Sequence, residues 1–354
     1  MSQLDSILLM PCFSISPSKV SLYNKVFRRS ISLESYTDST NLIKTTVINH
    51  KVKKKSNPIK RSFHAFSISD NARRTLQQKI TWLNYLAKPR HIKTYSGKDI
   101  YNFKCAFITL TLPSKQKECT SEVTNQYFNQ FLTEIRQQRN MQNYVWRLEF
   151  QKNGNVHYHI ITDCYLDYFF VRRIWNRILS KGDYITDYHN RFVNLNLSEY
   201  NNLINPDKKL QFDQVAKRYA LGKKDNWTQP NSVDVKSVSN STSINNYISK
   251  YFSKTSSGNV ICNELDTEVN SKNLRLWFCS RSLSKLNTVS DFVEAVNFSA
   301  RYLVEGVKTV RKVFYQYCIC LYYDINKLPP FCKKELSIIL RKYAHEQNYI
   351  AYGT

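Results

Sequence analysis

Residues 148–163 read LEFQKNGNVHYHIITD, and this stretch constrains the fold more than any other. Two β-forming runs, 144–151 and 156–162, meet around Asn153-Gly154. So short a link joins antiparallel strands, because parallel neighbours need a crossover of about a dozen residues or more. Side chains two apart on a strand share a face, so His157 and His159 point one way and Tyr158 the other. The loop then decides whether Glu149 joins the histidines. A two-residue Asn153-Gly154 turn pairs Glu149 with Tyr158 and sends the carboxylate to the wrong face. A three-residue Lys152–Gly154 loop pairs Gln151 with Asn155 and Glu149 with His157. It needs a left-handed third residue, which Gly154 supplies. In that register Glu149, His157 and His159 converge, and two imidazoles with one carboxylate suit a divalent cation, Mg²⁺ or Mn²⁺. The alternative is an ordinary strand whose polar residues face solvent.

Charge and glycine usage narrow the function. A net charge of +25 over 354 residues implies a polyanionic partner, nucleic acid before an acidic membrane surface. No apolar run is long enough to span a membrane. The opening MSQLDSILLMPC has a short apolar core with no basic region before it, so no secretory signal is expected. The chain has only seven glycines, and no two are spaced for a GxxxxGK or GxGxxG phosphate cradle. A nucleotide-driven motor, a helicase or a Rossmann dehydrogenase is therefore disfavoured, and no nucleotide cofactor is expected. Nine scattered cysteines without a CxxC pair read as reduced thiols in a reducing compartment.

Residues 1–66, Ser-rich and basic with KVKKKSNPIKR at 51–61, read as a partly disordered arm that contacts phosphates. Residues 67–285 read as the main domain, and 286–354 as an α/β extension packed on it. Within the main domain Ala72, Leu76, Ile80, Leu83 and Ala87 keep helical spacing, with Ser69 or Asp70 as cap and Pro89 as stop. CAFITLTLP (105–113) reads as a strand with Thr109 and Thr111 on one face. Helices are expected at 121–138, 168–181, 212–222 and 243–254, and strands at 232–238 and 274–280. The polar stretch around the 212–222 helix, 183–230, yields no other element. Beyond it come a helix near 289–303, a strand at 312–323 and a helix at 331–346. Without regular βαβ alternation, this is α+β with a largely antiparallel central sheet and flanking helices.

YISKYFSK (247–254) is Tyr247-x-x-Lys250 followed by Tyr251-x-x-Lys254. On a helix Tyr247 and Tyr251 share a face one turn apart, beside an apolar stripe of Ile244, Ile248 and Phe252 that suits docking on the sheet. Alone this reads as an amphipathic helix. Joined to HYH, it resembles the HUH endonuclease superfamily, in which two histidines flank a bulky residue. More closely it is similar to the two-tyrosine rolling-circle replication initiators of small single-stranded DNA phages. FITLTLP, GNVHYHII and YISKYFSK match three motifs in chain order, over roughly residues 67–285.

The resemblance implies a central antiparallel sheet carrying the metal ligands His157, His159 and Glu149, with the tyrosine helix packed over it. It implies catalysis by Tyr247 and Tyr251, with Lys250 and Lys254 beside the scissile phosphate. The implied partners are single-stranded DNA at a replication origin and a host helicase and polymerase, in the cytoplasm of a bacterial host. Two other readings use part of the pattern. A transposase or plasmid relaxase shares the motifs, though relaxases often place the tyrosine ahead of the histidines. A non-catalytic basic nucleic-acid-binding protein accounts for the charge but not for the joint motifs.

Overall fold

In the computed structural model the chain divides into two units: Met1–His64 with Thr288–Tyr343, and Ala65–Asn287 with Ala344–Thr354. The structure describes residues 5–30, 68–94, 97–207, 209–238, 274–287, 289–292, 304, 306–316 and 318–352.

The first unit opens with β1 (Asp5–Ser16) and β2 (Lys19–Ser30), an antiparallel hairpin closed where Ser16 pairs with Lys19. Sequence reading expects an irregular arm here. The period is nevertheless present, since Phe13 and Ile15 are buried on one face of β1, but serines dilute it. The basic run at 51–61 lies outside the described residues.

The second unit begins with α1 (Asp70–Leu86), whose first turn is capped by Ser69 accepting from Ala72 N. Leu76, Ile80 and Leu83 form its buried stripe. A small hairpin, β3 (Arg90–Lys93) with β4 (Asp99–Phe103), precedes β5 (Cys105–Thr111). One uninterrupted helical stretch follows: α2 (Thr120–Glu122), a π-helical segment Val123–Phe128, and α3 (Asn129–Arg139). Next come β6 (Tyr144–Phe150), β7 (Val156–Thr162) and α4 (Tyr168–Leu179), the last capped by Asp167. The polar stretch that carries no clear period beyond 212–222 holds two further helices, α5 (Tyr184–Phe192) and α6 (Leu197–Ile204), before α7 (Phe212–Lys224). The described part of the unit ends with β8 (Val233–Val238), β9 (Trp277–Cys279) and α8 (Arg281–Ser284).

The central sheet runs β8-β5-β7-β6-β9, antiparallel throughout. One face, with Ile108, Leu110, Trp146, Leu148, Tyr158 and Ile160, shares a core with Val123, Phe128, Phe131 and Trp175 from the helices. Tyr158 shows how strand alternation is enforced. Its ring stacks on Phe128 at 4.0 Å, and its hydroxyl meets Thr124 Oγ1 at 2.8 Å. The other face of the same strand is left to the histidines. The architecture is α+β around an antiparallel sheet, as expected. The helix expected at 243–254 lies outside the described residues.

The remaining strands of the first unit are β10 (Val289–Phe292), β11 (Arg311–Tyr315) and β12 (Cys318–Tyr322). With β1 and β2 they form an antiparallel sheet of order β10-β1-β2-β12-β11. Two expectations change. The helix near 289–303 begins instead as strand β10, because Val289–Phe292 finds a partner in Cys12–Ile15. The single strand at 312–323 is a hairpin of two. The long helix α9 (Pro330–Tyr352) follows, with Leu336 and Leu340 fully buried. Among the described residues no helix is long and apolar enough to cross a membrane.

Candidate metal centre

The β6–β7 turn uses the three-residue loop. Gln151 N donates to Asn155 O at 2.8 Å, Gly154 N donates to Gln151 O at 3.0 Å, and Gly154 has φ +81°. Glu149 therefore pairs with His157 and Arg147 with His159. A neighbouring loop holds the turn in place: Asn155 Nδ2 donates to Ser114 O (2.7 Å), and Gln116 N donates to Asn155 Oδ1 (3.0 Å). Glu149, His157 and His159 share one face of the sheet, and β5 adds two hydroxyls. Thr109 lies across from His159 and Thr111 across from His157.

The contacts are specific. Glu149 Oε2 lies 3.3 Å from His159 Nε2. The two imidazole centroids are 4.5 Å apart. Thr109 Oγ1 approaches His159 Nδ1 at 3.2 Å, and Thr111 Oγ1 approaches His157 Nδ1 at 3.5 Å. A hydroxyl that accepts from Nδ1–H fixes the tautomer that leaves the Nε2 lone pair available. Arg147, 6% exposed, lies beneath this row with Nη2 3.5 Å from Glu149 Oε1.

Electrostatics favour metal-ready protonation states. Burial, reinforced by His159, pulls the His157 pKa down to about 4, so its imidazole is neutral at ordinary pH. Burial alone would push Glu149 up, but the His159 hydrogen bond and the Arg147 guanidinium outweigh it and hold the carboxylate below its usual range. A neutral imidazole and an ionised carboxylate are the forms a cation requires. Among the described residues no three His, Cys, Asp or Glu side chains are already gathered as a finished cage. Glu149 and His159 instead touch each other. The donor set still fits a hard-to-borderline divalent cation. Glu149 Oε1 is buried and accepts no hydrogen bond among the described residues, so one strong acceptor is left to be satisfied.

Of the residues singled out in the sequence, the fold brings Glu149, His157 and His159 together. Tyr247, Lys250, Tyr251 and Lys254 lie outside the described residues. Three neighbours of the site escape sequence reasoning: Arg147, the pairing of Thr109 and Thr111 with the histidine rings, and Asp234, across from Thr109 on β8. Arg147 is two residues from Glu149, so strand alternation alone places it on the same face. The threonines' partners depend on the β5–β7 register, which no local pattern encodes.

No curated protein and no solved structure matches the chain. Residues 105–256 match the ORF2-type family of replication-associated proteins, from the first residue of β5 to just past Lys254, and this likeness supports a role in initiating replication.

Proposed function

We propose that the chain is a two-tyrosine HUH-type initiator of rolling-circle replication. It would nick single-stranded DNA at an origin and rejoin it. The observation that carries this is the convergence of Glu149, His157 and His159 on one sheet face, through a register the loop could have set otherwise. The family likeness over 105–256, which includes both tyrosines in sequence, supports it.

Glu149 Oε1 and the Nε2 atoms of His157 and His159 would hold Mg²⁺ or Mn²⁺. When bound, the cation would supply Lewis-acid polarisation of the scissile phosphate. The chain's own residues do the rest. Thr109 and Thr111 orient the imidazoles, and Arg147 steadies the carboxylate. A tyrosine hydroxyl with a pKa near 10 is a weak nucleophile, so Lys250 and Lys254 would place positive charge beside it or beside the phosphate. Tyr247 or Tyr251 oxygen attacks phosphorus, and the bond from phosphorus to the 3′ oxygen breaks. The tyrosine proton is lost and the 3′ oxygen gains one. The products are a 5′-phosphotyrosine and a free 3′-hydroxyl that can prime synthesis. The covalent bond conserves the energy for rejoining, so no nucleotide is needed, consistent with the missing phosphate loop. The paired tyrosines suit a repeating cycle in which one holds the 5′ end while the other cuts the regenerated origin.

Incubating the protein with pooled single-stranded segments of its own replicon and Mn²⁺ tests this. Covalent protein–DNA adducts are expected on denaturing gels. Tyr247→Phe and Tyr251→Phe should each retain some cleavage, and the double variant none. An adduct formed by the double variant would place the nucleophile elsewhere and defeat the reading.

A further inference from the structure

Helices α5, α6 and α7 form a small module with an aromatic core of its own, inserted between β7, which carries the histidines, and β8. Phe192, Tyr200, Val215 and Trp227 are its buried residues. Trp227 is 1% exposed and adopts φ +56°, a conformation rare for a bulky residue. It is held there by its own N–H, which donates to Gly222 O (2.8 Å) and Asp225 Oδ1 (3.1 Å). The close approach needs a glycine: a Cβ at 222 would stand 2.2 Å from the Trp227 ring. Arg172 Nε and Asn176 Nδ2 on α4 clamp the next loop through Pro230 O, at 3.0 and 3.1 Å. Such packing presents the outer face of α7 rigidly.

That face has an ordered pattern. At about 100° per residue, Lys217 and Lys224 lie within about 20° of each other on the helix. Leu221 and Gln214 follow about 40–60° further round, and Arg218 about 100° round. All five are exposed, Leu221 at 64%, while Val215 and Gly222 on the far side are buried. Among the described residues, Lys217, Arg218 and Lys224 enter no ion pair. Asp213 borders the face in the first turn, where the helix dipole favours an acid, and Lys223 and Lys224 sit in the last turn, where it favours cations. The dipole does not account for Lys217 and Arg218 at mid-helix. The result is a strip of one amide and one apolar side chain flanked by cations on both sides.

We propose that α7 is a contact for double-stranded DNA and lies in the major groove. Lys217 and Lys224 meet one phosphate wall, Arg218 meets the other, and Gln214 and Leu221 face the base edges. The B-DNA major groove admits a helix, an amide can pair with adenine there, and an apolar group can meet a thymine methyl. Single-strand recognition instead relies on stacking aromatics, and this face has none. The exposed Phe212 lies about 180° from Leu221. The inference rests on reading the chain as a DNA-replication protein, and it assigns a duplex-holding surface separate from the metal face.

Full-length protein is titrated against a labelled DNA duplex of about 30 base pairs in EDTA at several salt concentrations, with fluorescence anisotropy as readout. The variant K217A/R218A/K224A should bind at least about 10-fold more weakly at low salt, with the slope of log K against log salt reduced by about 2–3. Its cleavage of a short single-stranded oligonucleotide in Mn²⁺ should match the unmodified protein. Unchanged duplex binding overturns the proposal, and so does an equal loss on single strands. A measurement without variants guards against misfolding: the DNA duplex should protect Lys217 and Lys224 from acetylation, read by mass spectrometry. An RNA duplex of the same sequence should not, because its major groove is too narrow. Absent protection, or equal protection by RNA, overturns the proposal. Binding in EDTA is independent of strand cleavage, so failure here leaves the nuclease reading standing, and the reverse also holds.

Discussion

Arg147 sits directly across from His159 and two residues from Glu149, nearly buried, with its guanidinium 3.5 Å from the carboxylate. Removing one partner of a buried pair leaves the other charge uncompensated. Arg147→Met should therefore destabilise the fold by about 3 kcal/mol in chemical denaturation. The threonines are a subtler test. Thr109→Val keeps the shape and removes the oxygen that meets His159 Nδ1, so Mn²⁺ affinity by calorimetry should fall about 10- to 100-fold, with little change in stability. His157 gives a pH prediction for the metal-free protein. Burial lowers its pKa from 6.5 to about 4, so on acidification the unfolded chain takes the proton first. The stability held by neutral His157 is complete above pH 6.5 and drains as pH falls towards 4. Denaturation midpoints should drop across that window, and His157→Gln should flatten the drop. A fall as steep in the variant would assign it to other groups.

At the scale of elements, the β6–β7 hairpin and the α7–Trp227 contact each depend on one small feature. Asn155, 3% exposed, ties the hairpin turn to residues 114–116. Asn155→Ala leaves Ser114 O and Gln116 N without that partner and should cost about 1–3 kcal/mol. Loosening of the turn would show as faster amide exchange at Gly154. At Gly222 the obstacle is volume, since a methyl group meets the Trp227 ring. Gly222→Ala should cost about 1–3 kcal/mol and alter Trp fluorescence. If neither quantity moves, the module is looser than its contacts indicate.

At the scale of the whole molecule, residues distant in sequence share one sheet. β2 pairs with β12 and β1 with β10, across more than half the chain. Removing residues 1–60 therefore takes two strands from a five-stranded sheet as well as the basic run at 51–61. Limited proteolysis of the shortened protein should show rapid cleavage within 288–343, whose strands lose their partners. DNA binding should weaken and become less salt-dependent. If 288–343 stays protease-resistant, β1 and β2 are dispensable to that sheet.

The sequence by itself determined the elements whose pattern is local. Helical spacing with a serine cap and a following proline marked α1, alternation marked β5–β7, and the glycine count excluded a phosphate cradle. It also reduced the Glu149 question to two loop lengths, and Gly154 pointed to the one observed. Tertiary structure decided which strands become neighbours. The threonine hydroxyls reach the histidine rings only because β5 pairs with β7, and β1 has a place only because β10 and β2 flank it. It also decided the module around Trp227, where dispersed aromatics from 188–227 find one another with no continuous period. The physical reason is range. Backbone sterics and side-chain periodicity act over a turn or a strand and can be read in a short window, whereas pairing between distant segments is settled by the free energy of the whole packed fold.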